Sequence, residues 1–227
     1  VALQAPADID VDAEGCFTIT ADATPADGRR NHLQLPPGTA SILPRDTLTD
    51  WANQVPNELS IRLVGAERDS PWSVDDVIKE LTKSLGESVD VLSRIVGKPL
   101  QDRPTNSLTP FARDVKLGVH GGLIAFNRFS LKEDEALLIT LDRLGARYLT
   151  IATADPWLRA LRYDNRQTSL NCGTAQADAD GGYTFVLSAH DPGIRNWLDT
   201  GGLRDGILQA RWEGFAQTVP LEKAQMA

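Results

Sequence analysis

The sequence predicts a mainly β fold: an antiparallel β-sandwich or jelly roll with one long helical insertion over residues 73–97. Three observations carry that expectation. From Leu123 to Trp212 the chain is a succession of short apolar runs separated by turn signals, the pattern of an antiparallel layered β structure. Between Ser73 and Gly97 the apolar period lengthens from two to about three and a half residues. The 227 residues show no internal repeat, and a chain of that length can bury a real hydrophobic core.

Taken in order, residues 1–14 are acidic and irregular, and they end in the turn composition Asp12-Ala13-Glu14-Gly15. Cys16 to Thr20 alternates apolar and polar types and reads as a short strand. After a loop with Pro25, Asp27 and Gly28, a second strand is expected over Thr39 to Leu43. Pro36 and Pro37 lack amide donors, so that strand starts beyond them or lies at an edge. Leu59 to Val64 reads as a third strand, with Leu59, Ile61 and Leu63 on one face. The helix follows: Val74, Val77, Ile78, Leu81, Leu85, Val89, Leu92, Ile95 and Val96 make one stripe. Ser73 and Asp76 resemble a capping box, Gly97 takes the C′ place, and Gly86 marks a kink or break. Residues 98–118, with Pro99, Pro104 and Pro110, lack periodicity and read as a long surface loop or lid.

Six further runs read as strands: LIAFNRF, EALLITL, RYLTIAT, TSLNC, YTFVLSA and GILQARW. A helical turn is expected near Pro156 to Leu161, and Asp178 to Gly182 reads as a hairpin-type turn. The early strands are too few for a core of their own. The expected organisation is therefore one sandwich domain over 1–227, carrying the helical insertion and the 98–118 loop.

Composition excludes several classes. The 23 basic and 31 acidic residues give a net charge of −8, the wrong sign for neutralising phosphates, so no nucleic-acid partner is expected. No window approaches the ~20 apolar residues of a membrane helix, and no basic-then-apolar signal segment opens the chain. The reading is a soluble protein whose compartment stays open, with the cytoplasm favoured. Cys16 and Cys172 form no CxxC pair and read as buried free thiols rather than a disulfide. With three histidines in all, no metal site is expected; the alternative set is His120, His190 and Asp191. No P-loop, GxSxG elbow or Rossmann fingerprint occurs, so the cofactor is unassigned.

The densest polar chemistry lies in His190–Trp212, HDPGIRNWLDTGGLRDGILQARW. Asp191-Pro192-Gly193 fits a type II turn, which leaves Asp191 open to a second role. In Asn196-Trp197-Leu198-Asp199-Thr200-Gly201-Gly202 the adjacent glycines admit left-handed angles or close approach of a ligand. Asp199 either braces this loop, against Arg204 or Arg211, or works as an acid/base; bracing stands somewhat ahead. Trp197 is a core plug or a wall for a sugar or aromatic ring. A second group spans Trp157 to Asn171. Alternation there sets Gln167, Ser169 and Asn171 on one strand face, with Thr168 and Leu170 on the other. The candidate catalytic residues are Asp199 as base or orienter, Asp191, and Arg204 stabilising negative charge. The candidate substrate-binding residues are Asn196, Trp197, Asn171, Gln167, His120 and Tyr163.

DEALLITLDRLGARYLTIATADPWLRALRYDNRQTSLN, followed by DPGIRNWLDTGG and a closing RW, resembles the C-terminal region of the bacterial domain-of-unknown-function family twelve-fourteen. PRDTLTDWANQVPNELSIRLVG resembles that family's middle segment. The resemblance implies a jelly-roll β-sandwich without a settled activity. It also implies that this chain corresponds to the C-terminal part of a longer architecture, and it mildly favours a polar pocket along the Gln167 to Asn171 face. The position after the glycine pair, often His in relatives, is Leu203 here, so a proton-transfer role of that His does not carry over. The expected function is an enzyme or enzyme-like subunit acting on a small organic molecule by acid/base chemistry. The alternative is a noncatalytic ligand- or glycan-binding sandwich, or a structural subunit. The expected partners are a small-molecule ligand, and another polypeptide or a second copy covering sheet edges.

Overall fold

The computed structural model describes residues 9–38, 42–65, 72–108, 110–111 and 122–215. The chain divides into two compact units, Val1–Thr47 and Leu48–Ala227.

In the first unit, β1 (Thr20–Asp22) and β2 (His32–Gln34) pair in parallel, Thr20 opposite His32 and Asp22 opposite Gln34. The reversal between them uses left-handed angles at Asp27, Gly28 and Asn31. Asp22 fixes this loop by accepting from Thr24 N (2.7 Å) and Arg29 Nη1 (2.8 Å). His32 is buried beneath it, 2.9 Å from Thr20 Oγ1. The expected strand at Cys16–Thr20 thus begins only at Thr20. Of the second expected strand, residues 39–41 lie outside the described residues, and Ile42 and Leu43 are exposed and not in a strand.

The second unit is mainly β, with one long helical insertion, as the periodicities predict. One sheet has the order β3 (Pro110–Phe111), β4 (Leu123–Ser130), β10 (Asp205–Glu213), β6 (Tyr148–Ala154), β7 (Ser169–Asn171); the other has β5 (Ala136–Leu141), β8 (Tyr183–Ser188), β9 (Trp197–Asp199). All pairings are antiparallel except β8 with β9. The two-residue period does the sorting. Leu123, Ala125 and Phe129 of β4, Leu149 and Ile151 of β6, and Leu208, Ala210 and Trp212 of β10 face Ile139, Leu141, Phe185, Leu187 and Leu198 in one core. Trp212 is fully buried and its indole N–H donates to Asp142 O at 2.7 Å, so its polar tip is satisfied.

The insertion is α1 (Val74–Val96), with Ser73 and Asp76 forming the predicted capping box. It runs unbroken through Gly86. Gly97 ends it at φ −77° rather than in the left-handed form; a Cβ there would sit 2.0 Å from Ser93 O, so only glycine fits. The apolar stripe stays solvent-exposed along Val74, Ile78, Leu81, Leu85 and Val89. No helix among the described residues is long and apolar enough to cross a membrane.

Several local expectations are corrected. Leu59–Val64 is not a strand, and Ile61 is 98% exposed; among the described residues no strand pairs with it. The 98–118 segment contains α2 (Lys98–Gln101) and β3 as well as turns. Leu100 of α2 covers Ala154 and Ile207 on the outer face of the larger sheet. Pro156–Leu161 is a turn organised by Asp155, whose Oδ1 accepts from Trp157 N and Arg159 N, both at 2.9 Å. The Asp178–Gly182 turn forms, but it links β7 to β8 in different sheets. Cys16 and Cys172 are both free, and Cys16 is exposed rather than buried.

Candidate functional site

The DPG-x-x-NWLDTGG stretch makes the parallel return from β8 to β9, which sets Val186 against Trp197 and Ser188 against Asp199. At its start Asp191 Oδ1 accepts from Gly193 N at 2.8 Å, and Gly193 has φ 73°. This is the Asx-stabilised turn that the tripeptide predicts. Asp191 lies at the surface, away from Asp199, with its carboxylate engaged in its own turn. His190, also exposed, contacts Glu133 Oε1 at 3.3 Å.

Asn196 is buried in the left-handed region at φ 56°, a conformation Asn tolerates better than most residues. Its amide is fully committed: Oδ1 accepts from Gln176 N (2.8 Å), and Nδ2 donates to Gln176 O (2.8 Å) and Thr184 O (3.0 Å). Trp197 is half-buried and donates to Ser188 O at 3.3 Å. Its own carbonyl accepts from the side-chain amide of Gln167.

Asp199 is 3% exposed. Arg166 grips it with two bonds, Nε to Oδ2 at 2.7 Å and Nη2 to Oδ1 at 3.3 Å, and Gly201 N donates to Oδ1 at 2.7 Å. The backbone is equally tied. Asp199 N donates to Gln167 O at 2.8 Å, while Thr153 Oγ1 lies within bonding distance of both Thr168 O (3.2 Å) and Asp199 O (3.1 Å). Side chains and backbone therefore weld β9 of one sheet to β6 and the approach to β7 of the other. Gly201 (φ 69°) and Gly202 (φ 84°) are both left-handed, and a Cβ on Gly201 would meet Leu161 Cδ1 at 2.6 Å. The glycine pair serves the turn and the approach of Leu161.

Arg204 is exposed, and its carbonyl accepts from Leu131 N at 2.9 Å. It does not reach Asp199; the cation that does is Arg166. Sequence reading placed Arg166 in the second polar group without pairing it to Asp199. No alternation singles it out: Arg166 is exposed and precedes β7, so strand parity does not reach it.

The remaining candidates lie elsewhere. Gln167 and Ser169 face outward as alternation predicts, but Asn171 is buried. It donates to Thr49 O at 2.9 Å and accepts from Gly173 N at 2.8 Å. Tyr163 meets Trp51 edge-on, with ring centroids 6.1 Å apart at 87°. Both residues thus hold the segment around Thr49 and Trp51 onto the sheet. Neighbouring Arg162 and Asp164 form an exposed pair in which the guanidinium holds the carboxyl below its ordinary range. His120 lies outside the described residues. Among those described, no group of three or more His, Cys, Asp or Glu is placed to hold a metal ion.

Two clefts open near β4, both lined by Arg128 and Phe129. One, of 580 Å³, lies under α2 beside Leu100, Thr105 and Gly206. The other, of 220 Å³, lies between Asn106–Leu108 and Leu137–Thr140 of β5. Neither is lined by any of the candidate residues.

No protein-family model matches the chain, and no curated protein matches it. Among solved structures, the VPA0106 protein from Vibrio parahaemolyticus is 15% identical with a TM-score of 0.33, over 65% of this chain and 43% of that one. A putative uncharacterized protein from Burkholderia cenocepacia is 24% identical with a TM-score of 0.75, over 95% of this chain. The chain spans 63% of that protein's length, and the likeness is one of fold.

Proposed function

We propose that this chain is a noncatalytic β-sandwich module, a structural subunit that associates with another polypeptide or a second copy, in which the DPG-x-x-NWLDTGG stretch is a brace. The observation that carries this reading is the state of Asp199. A general base needs an accessible lone pair near a substrate, whereas the Asp199 carboxylate is buried, holds Arg166 and Gly201 N, and borders neither cleft. Asp191 and Arg204, the other two candidates for chemistry, are separated from it and from each other's function. The resemblance to family twelve-fourteen belongs to the same proposal, since the residues that carry it are those that join the two sheets.

A second reading, a small-molecule binder, is favoured by the 580 Å³ cleft, which falls within the size range of ligand sites. Its apolar walls are Leu100, Phe129 and Ile207, and Arg128 supplies a cation. The acid/base enzyme is the least supported alternative. Unfolding of the Asp199→Asn variant separates brace from base: a brace loses stability, while removing a catalytic carboxylate is commonly neutral or stabilising.

A further inference from the structure

The sheet edges are protected unequally. On the larger sheet, β3 is two residues long and begins at Pro110. Beyond it Asn106 occupies the edge of β4: its Oδ1 accepts from Ser130 N (2.8 Å), its Nδ2 donates to Ser130 O (2.9 Å), and its backbone N–H donates to Arg128 O (2.9 Å). The opposite edge, β7, has three residues. On the smaller sheet β9 also has three, and Gln167 ties it. The fourth edge is β5, six residues reading ALLITL. It has no charge, proline or glycine, and among the described residues no strand pairs with its outer side. Leu138 in its middle is 71% exposed. An edge of this length and composition is a template for another strand.

We propose that the outer edge of β5 is a homodimer interface, at which β5 of a second copy adds antiparallel and extends the sheet to six strands. The proposal rests on the structural-module reading for its biological sense, but its test is independent of Asp199. Charge selects the partner and the direction. Lys132, Glu133, Asp134 and Glu135 precede β5, a net negative end in which Lys132 pairs with Glu135 and His190 contacts Glu133, while Asp142, Arg143 and Arg147 follow it, a net positive one. Arg143 bonds the carbonyls of Ala146 and Arg147. Opposed residues in an antiparallel pair share a face, so a two-fold axis must pass through a residue. Through Ile139 it sets Arg143 opposite Glu135 of the second copy and Asp142 opposite Ala136; through Leu138 it sets Arg143 opposite Glu133 but Asp142 opposite Asp134, so charge favours the first. A parallel pair would bring the two acidic ends together. An antiparallel pair of identical strands is isologous and closes as a dimer. The 220 Å³ cleft along Leu137 and Ile139 lies on this open side of the sandwich, where it can take side chains from the incoming strand.

The test is sedimentation velocity of the whole chain from about 1 to 100 μM, with circular dichroism confirming that each variant is folded. The expected result is a reversible dimer that Leu138→Lys weakens about tenfold or more. Arg143→Glu weakens it as well, and Glu135→Arg or Glu133→Arg in the Arg143→Glu background restores it. Amides of β5 in the wild type gain hydrogen-exchange protection as concentration rises. A monomer throughout the range overturns the proposal. So does a dimer indifferent to Leu138→Lys, or one that Leu85→Lys in the exposed stripe of α1 abolishes while Leu138→Lys does not.

Discussion

Replacing Asp199 by Asn keeps the shape of the side chain and removes its charge. The carboxylate accepts three hydrogen bonds, two from Arg166 and one from Gly201 N. The amide has one acceptor oxygen, so its NH₂ must face a donor that it replaces an acceptor for. Breaking a fully buried pair costs about 3–5 kcal/mol, and an exposed one about 0–1 kcal/mol. Here the Asp199 side chain is 5% exposed and that of Arg166 is 43% exposed. The carboxylate is therefore inside and the guanidinium half in water, which places the expected loss near 2 kcal/mol. For a domain of this size that lowers Tm by about 4–8 °C. Arg166→Met should lose a similar amount, and the double variant should fall short of the sum by about 1–2 kcal/mol. Thermal and urea unfolding read all three. An unchanged or raised Tm for Asp199→Asn, with no coupling to Arg166, would sink the brace and return Asp199 to the list of candidate bases.

Asn196→Ala removes three hydrogen bonds and leaves Gln176 N and O and Thr184 O unanswered, so it should cost about 2–3 kcal/mol in urea unfolding; a loss under about 0.5 kcal/mol would contradict that bond set. Gly206→Ala would put a Cβ 2.5 Å from Phe129 Cζ and 2.9 Å from Ala154 O. A loss of about 1–3 kcal/mol is expected, and an unchanged Tm would mean that this contact relaxes freely. Arg29 first, and Thr24 second, hold the Asp22 carboxyl far below its ordinary 3.8. A lowered folded pKa adds stability that is present above the unfolded value and lost only as pH falls through the folded one. The Asp22 carboxyl carbon should therefore show no NMR titration step between about pH 5 and 3, and a midpoint near 3.8 would exclude the Arg29 contact.

What was legible in the sequence follows from how local each cause is. The strands β4 to β8 and β10 could be read because alternation fixes which side chain faces the core, and that depends on neighbours two residues apart. The N-terminus of α1 could be read because Ser73 and Asp76 cap each other over three residues. Leu59–Val64 was misread because its alternation is the same whether or not a partner strand exists. Strand β9 was read as a site loop for a related reason: three residues, Trp197-Leu198-Asp199, are too few for a period to show, and their partner β8 runs parallel. The Asp199–Arg166 pair spans 33 residues with no spacing to announce it.

The polar stretch from His190 onward looked like a site because catalysis and bracing draw on one vocabulary of Asp, Asn, Arg and paired glycines. Composition cannot separate them, since both need buried polar groups in fixed geometry. The difference lies in whether those groups have capacity left over. At Asn196 both amide hydrogens are spent on Gln176 O and Thr184 O while Oδ1 accepts from Gln176 N, and at Asp199 three of the carboxylate's about four acceptor positions are taken by Arg166 and Gly201 N. A substrate would have to compete with bonds that fix β9 and the turn before it. Each such bond is worth about 1–3 kcal/mol when a charged or buried group is involved, so displacing several would cost a large part of a typical domain's stability of about 5–15 kcal/mol. Groups with unspent capacity lie instead at the open side of the sandwich, along β5, where the backbone groups of alternate residues that do not bond β8 face outward and no strand among those described answers them.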